Sequence, residues 1–80
     1  MDPRLKKCAA RITELREGKG WSKEQLADKM GCPPSLITYY ESGKRAPGYY
    51  NILKMKELFN ETADYIMGES DVRTIKKEAR

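Results

Sequence analysis

The chain has 80 residues, of which 39% are hydrophobic, and this supply of apolar side chains is enough for one small core. A multidomain enzyme is not expected at this length. No apolar run approaches the roughly 20 residues that cross a bilayer, and the charged N-terminal segment lacks the uninterrupted apolar stretch of a signal peptide. We therefore expect one cytoplasmic domain with no membrane partner.

The net charge is +4, and the basic excess is concentrated in the first 23 residues. Those residues contain seven bases and three acids, whereas residues 24–68 contain five bases and six acids. A one-sided basic surface is typical of proteins that bind phosphate groups, but an ordinary solvated surface accounts equally well for these numbers. Charge by itself leaves both interpretations open.

Side chains that usually catalyse reactions or hold metals are scarce. The chain has no histidine, the commonest general base, and its two cysteines, Cys8 and Cys32, are too far apart for a CxxC pair. A structural zinc site takes four ligands, so both cysteines are expected to be small buried hydrophobes in a reducing compartment. The sequence therefore predicts no enzyme activity, no metal, no cofactor and no small-molecule ligand.

Apolar residues three and four positions apart predict helices, while alternation typical of strands is missing. The first helix is expected over residues 4–17 and the second over residues 23–30. The second begins with a capping box formed by Ser22 and Gln25, and Gly31 suits its left-handed stop. The apolar stripe of the first helix consists of Leu5, Cys8, Ala9, Ile12 and Leu15.

The third helix is expected over residues 34–42, because Pro33 and Pro34 suit a helix start and Gly43 suits its end. Its inward side has Leu36, Ile37 and Tyr40, and its outward side carries no charge. A fourth helix over residues 49–59 has a broad apolar stripe. It consists of Ile52, Leu53, Met55, Leu58 and Phe59.

A fifth helix is expected over residues 63–67, where Thr62 serves as its cap and Gly68 as its stop. These five helices make a domain of residues 1–68. The tail, residues 69–80, is either disordered or a sixth helix whose stripe helps to form a dimer; that stripe would consist of Val72, Ile75 and Ala79.

The tyrosines divide into three groups. Tyr40 and Tyr49 are predicted to lie in the core, and Tyr65 is predicted to be partly exposed. Tyr39 and Tyr50 are either solvated or in contact with a sugar or phosphate.

Two short helices joined by a tight glycine turn and followed by a basic loop are the layout of a helix-turn-helix, here residues 23–42. The segments RITELREGKGWSKEQLADKMGCPPSLITYYESGKRAP and ILKMKELFNETADYIMG resemble the lambda-repressor-like, Xre-type DNA-binding domain. The similarity covers residues 11–68 and includes the SKEQLA helix start, the MG turn, the YESGKRAP close and the DYIMG end. It implies a compact all-α, five-helix domain whose third helix enters the major groove of double-stranded DNA. It also implies operator binding, usually as a dimer. We therefore expect a transcriptional regulator that acts as a homodimer on a pseudo-palindromic operator and represses by occluding a promoter, with activation left open.

The resemblance implies two further sets of residues. Arg16 and Glu41 match the positions of a buried ion pair, which has a structural role. The expected phosphate contacts are Ser22, Lys23, Ser42, Lys44 and Arg45. For the last three, a solvated turn is the alternative interpretation.

The start of the third helix departs from the family pattern. Pro33 replaces a small cap residue, and Pro34 stands where a polar base reader is common. Direct readout is then left to Ser35, Thr38 and Tyr39, which are weak readers, while the ring of Pro34 or the methyl group of Thr38 can pack on a thymine methyl group. We therefore expect modest base discrimination helped by DNA shape.

The uncharged outward side of the third helix also allows another function. The chain would then be a protein-interaction module, or an antitoxin-like partner protein, that uses the same fold with weak or no specific DNA binding. If it does regulate transcription, phage repressor, restriction-modification controller and antitoxin are roles open to it. Without room for a ligand-sensing domain, control is expected to come from concentration, a partner protein or the promoter.

Overall fold

The computed structural model describes residues 3–70, and over this range the chain forms five α-helices and no strand. The predicted all-α fold is confirmed, and each helix begins and ends within one residue of its predicted bounds. The predicted sixth helix and the dimer stripe at Val72, Ile75 and Ala79 lie outside the described residues. The helices are α1 (Pro3–Gly18), α2 (Lys23–Met30), α3 (Pro34–Ser42), α4 (Tyr49–Phe59) and α5 (Ala63–Ile66).

Local chemistry determines where these helices begin and end. Ser22 Oγ accepts a hydrogen bond from the Gln25 backbone N–H at 3.0 Å, and Gln25 Oε1 accepts one from the Ser22 N–H at 2.8 Å. At the other end of α2, Gly31 adopts φ 71°, a left-handed conformation that glycine takes at little steric cost. Because each signal involves neighbours in sequence, the helix bounds are predictable from sequence.

One core joins all five helices. α1 packs against α3 and α5, α2 packs against α3 and α4, and α4 packs against α5. Burying a side chain of the size found here contributes about 1.5–3 kcal/mol, so this core holds α2 and α3 in a fixed relation. The largest fully buried side chains are Ile12, Leu26, Met30, Ile37, Met55 and Ile66.

Burial differs from the prediction at Tyr49, Tyr65, Leu53 and Cys32. Tyr49 is 80% exposed, because it is the first residue of α4 and precedes the inward stripe of that helix. Tyr65 is only 5% exposed, because the Arg11 guanidinium covers its ring at 3.9 Å from the centroid. Leu53 lies at the edge of its stripe and is 38% exposed, and Cys32 is half-buried rather than fully buried.

Candidate nucleic-acid interface

The outward side of α3 presents all four predicted base-contacting residues to solvent: Pro34, Ser35, Thr38 and Tyr39. On the opposite side of the helix, Ile37 is fully buried and Tyr40 is 3% exposed. The exposed side therefore offers two hydroxyls, a phenol and a proline ring. These groups can exchange hydrogen bonds with base edges and make apolar contacts, but none carries a charge.

A cationic loop follows α3 directly. Lys44 and Arg45 are both exposed, and the Arg45 guanidinium lies 5.4 Å from the centroid of the Tyr39 ring. The three side chains line a shallow cleft of about 280 Å³. Two positive charges therefore lie beside the outward side of α3, where they can attract a polyanion.

The start of α2 supplies two more predicted phosphate contacts. The Ser22 hydroxyl oxygen accepts the Gln25 N–H, which leaves the hydroxyl proton for an acceptor outside the helix. Lys23 is half-buried. Because it is the first residue of α2, its positive charge adds to the positive end of the helix dipole. Both residues are suited to an anionic group.

Ser42 is bonded differently from the other predicted phosphate contacts. Its hydroxyl is exposed and donates to the Tyr39 carbonyl oxygen at 3.1 Å, within the last turn of α3. A phosphate oxygen only accepts hydrogen bonds, so Ser42 must give up this bond before it can donate to a phosphate. In this structure the Ser42 hydroxyl therefore stabilises the last turn of α3.

Arg16 and Glu41 form an ion pair between α1 and α3. Arg16 Nε lies 2.7 Å from Glu41 Oε2, and their side chains are 11% and 6% exposed. A second guanidinium nitrogen reaches Glu41 Oε1 at 3.2 Å, and a third donates to the Trp21 carbonyl at 2.8 Å. The hydrogen bond to Glu41 raises the pKa of Arg16 despite the opposing effect of burial. One side chain thus connects α1, the segment before α2 and the end of α3.

A family model described as Helix-turn-helix matches residues 12–66. This chain belongs to the helix-turn-helix family. The HTH-type transcriptional regulator AnsR of Bacillus subtilis is 40% identical over 58 residues, which are 72% of this chain and 50% of AnsR. The HTH-type transcriptional regulator ImmR of the same organism is 29% identical over 62 residues, which are 78% of this chain and 49% of ImmR. The chain therefore spans about half the length of these curated relatives.

Solved structures share the helix-turn-helix fold. The restriction-modification controller protein C.AhdI from Aeromonas hydrophila superposes with a TM-score of 0.70 at 34% identity, covering 78% of this chain and 94% of that protein. A transcriptional regulator from Listeria innocua superposes with a TM-score of 0.73 over 90% of this chain and 71% of its own. At 20% identity the second similarity concerns the fold alone.

Sequence patterns do not single out three side chains that make long-range hydrogen bonds, two of them to the helix-turn-helix. Lys54 Nζ donates to the Met30 carbonyl at 2.6 Å, and Asn51 Nδ2 donates to the Tyr40 hydroxyl at 2.8 Å. Arg11 donates to the Tyr65 carbonyl at 2.7 Å. Their partners are between 11 and 54 positions away, so no local spacing could have revealed them.

Over residues 3–70, no three His, Cys, Asp or Glu side chains come together in a way that could hold a metal ion. None of the helices in that range combines the length and apolar character needed to cross a membrane. A groove of about 370 Å³ lies between the ends of α1 and α4, where Leu15 and Phe59 contribute to its wall.

Proposed function

We propose that the chain binds specific sequences of double-stranded DNA as a transcriptional regulator, acting as a homodimer on a pseudo-palindromic operator. The observation that carries this proposal is the uncovered side of α3 beside the cationic loop of Lys44 and Arg45. Family membership supports the same function, because AnsR and ImmR are named as transcriptional regulators. Repression follows if a bound dimer occludes a promoter.

In this proposal α3 lies in the major groove, which at about 12 Å is wide enough for a helix. The hydroxyls of Ser35 and Thr38 meet base edges, and the ring of Pro34 packs on a thymine methyl group. Tyr39 lies beside the backbone, where Lys44 and Arg45 contact phosphates. Hydroxyls accept from or donate to several bases, so the four readers discriminate modestly and DNA shape supplies the remaining preference.

Selection of bound duplexes from a random library tests the proposal, followed by titration of the selected sequence at two salt concentrations. We expect an inverted repeat with half-sites about 34 Å apart, two protein copies per duplex, and affinity that falls steeply with salt. Absence of an enriched motif, with weak binding abolished by salt, would contradict sequence-specific recognition.

A double substitution in the loop after α3 tests whether that loop contacts DNA. The double substitution Lys44→Ala/Arg45→Ala should weaken binding to every sequence and make the salt slope shallower by about one unit for each phosphate that is no longer neutralised. The matched control is Lys6→Ala/Lys56→Ala, which removes the same charge from exposed positions on α1 and α4. Equal reductions in affinity for the two variants would show that only net charge matters.

A protein-interaction module is the second candidate, and one observation favours it. Tyr49 and Tyr50 are 80% and 69% exposed on α4, and Leu53 one turn later is 38% exposed. Contiguous exposed apolar side chains often mark protein contacts. If the library selects no motif and the Lys44→Ala/Arg45→Ala variant behaves like wild type, this candidate replaces DNA binding.

The similarity to C.AhdI supports one context among those open to a DNA-binding regulator. That protein is a restriction-modification controller, and this chain covers 94% of it. A selected motif that occurs upstream of a restriction-modification operon would support the same role here.

A further inference from the structure

α4 places a lysine against the turn between α2 and α3. Lys54 Nζ donates to the carbonyl oxygen of Met30, the last residue of α2, at 2.6 Å. The same ammonium lies 4.6 Å from the centroid of the exposed Tyr50 ring. The ammonium also lies close to the turn, since a Cβ added to Gly31 would be 3.8 Å from Lys54 Nζ.

The Met30 carbonyl has no backbone donor in the usual helical positions. The last four carbonyls of a helix have no intrahelical N–H partner and are satisfied by the turn that follows, by side chains or by water. The residues three and four positions after Met30 are Pro33 and Pro34. Neither proline has an N–H. The other amides of the turn are used elsewhere, since Gly31 and Cys32 both donate to the Ala27 carbonyl.

A lysine suits this position for two reasons. A charged donor makes a stronger hydrogen bond than a neutral one, and a positive charge is favourable at the C-terminal end of a helix. Met30 ends α2, and the turn that separates it from Pro34, the first residue of α3, is short. Holding the Met30 carbonyl therefore restricts where α3 starts.

We propose that Lys54 is a positioning residue for DNA recognition, because it satisfies a helix-end carbonyl that Pro33 and Pro34, which lack an N–H, cannot satisfy, and so fixes the orientation of α3. This inference rests on the proposed DNA-binding function. Lys54 acts through the Met30 carbonyl, not through contact with DNA. Its removal then weakens specific binding without removing a phosphate contact.

The substitution Lys54→Met tests the proposal, because methionine keeps an unbranched side chain and removes the ammonium. The matched control is Lys56→Met, an equal loss of charge at an exposed position on the same helix. We expect Lys54→Met to lower affinity for the selected duplex roughly fivefold more than the control does, with equal salt slopes in the two variants. Affinity for random duplex should fall equally in both.

Hydrogen exchange without DNA gives an independent measurement. The Cys32 amide, which bonds to the Ala27 carbonyl at 3.0 Å, should exchange faster in Lys54→Met than in Lys56→Met. If Lys54→Met does not fold, Tyr50→Leu replaces it, because that change removes the ring beside the ammonium. Tyr49→Leu is its control, and only Tyr50→Leu should accelerate exchange at Cys32.

Three results would overturn the proposal. Equal reductions in affinity for Lys54→Met and Lys56→Met would show that the turn does not depend on the ammonium. A salt slope shallower by about one unit in Lys54→Met alone would make Lys54 a phosphate contact instead. If the wild-type chain selects no duplex, the proposed DNA-binding function fails. Hydrogen exchange then tests Lys54 separately, because equal exchange at Cys32 in Lys54→Met and Lys56→Met would overturn the positioning of the turn by Lys54 as well.

Discussion

Replacing Arg16 with methionine should remove a large part of the stability of this domain. The substitution deletes two hydrogen bonds to Glu41, at 2.7 and 3.2 Å, and a third to the Trp21 carbonyl at 2.8 Å. It leaves the Glu41 carboxylate charged and only 6% exposed. Breaking a buried pair in this way costs about 3–5 kcal/mol, and small domains have only about 5–15 kcal/mol in total.

Urea unfolding followed by circular dichroism measures this loss, and thermal unfolding should show a melting temperature lower by at least about 12 °C. Glu17→Gln is the control, because Glu17 lies 3.7 Å from Arg16 but is 66% exposed and should contribute less than about 1 kcal/mol. The double variant Arg16→Met/Glu41→Leu should recover part of the loss, since no buried charge remains. A loss below about 1 kcal/mol for Arg16→Met would refute the reasoning that this pair is buried and structural.

Two further substitutions probe burial and capping. Burial raises the pKa of the Cys8 thiol from 9.0 to about 11, so between those pH values the unfolded chain loses a proton that the folded chain keeps. The free energy of unfolding should therefore fall by about 1.4 kcal/mol per pH unit relative to Cys8→Ala, and parallel pH curves for the two proteins would contradict this. Ser22→Ala should cost about 1 kcal/mol in urea unfolding by removing the cap on Gln25, whereas Ser35→Ala should cost almost nothing; equal costs would argue against the cap.

The helices were predictable because their signals are local. Ser22 and Gln25 are three residues apart, and Gly31 needs only its own backbone conformation to end α2. Burial was predictable where a helix is long enough to define a stripe. The prediction of burial was wrong at Tyr49, which precedes the stripe of α4. It was also wrong at Tyr65, which lies in a helix of four residues and is covered by Arg11 from α1.

In the candidate site, too, the features that depend on local spacing were predictable from the sequence, and the long-range contacts were not. Periodicity placed Ser35, Thr38 and Tyr39 on the outward side of α3, because Ile37 and Tyr40 have to point into the core. The pairing of Arg16 with Glu41 came from the family resemblance, since 25 residues separate them and no spacing rule connects them. The contact of Lys54 with Met30 depends on how α4 packs against α2, so only the structure reveals it.

Pro33 and Pro34, at the start of α3, affect both the recognition of bases and the orientation of the helix. They place no charged or amide side chain at the start of the helix, so in the proposed complex base discrimination depends on the hydroxyls of Ser35 and Thr38, which are weak readers. Weak readers discriminate only if the helix is held in one orientation, because a loosely held hydroxyl can reach several base edges. The same prolines withhold two backbone donors from the turn that sets this orientation. Lys54, which holds the turn before α3, and Arg16, which holds the end of α3, should therefore affect specificity at least as strongly as the side chains that we propose face the DNA.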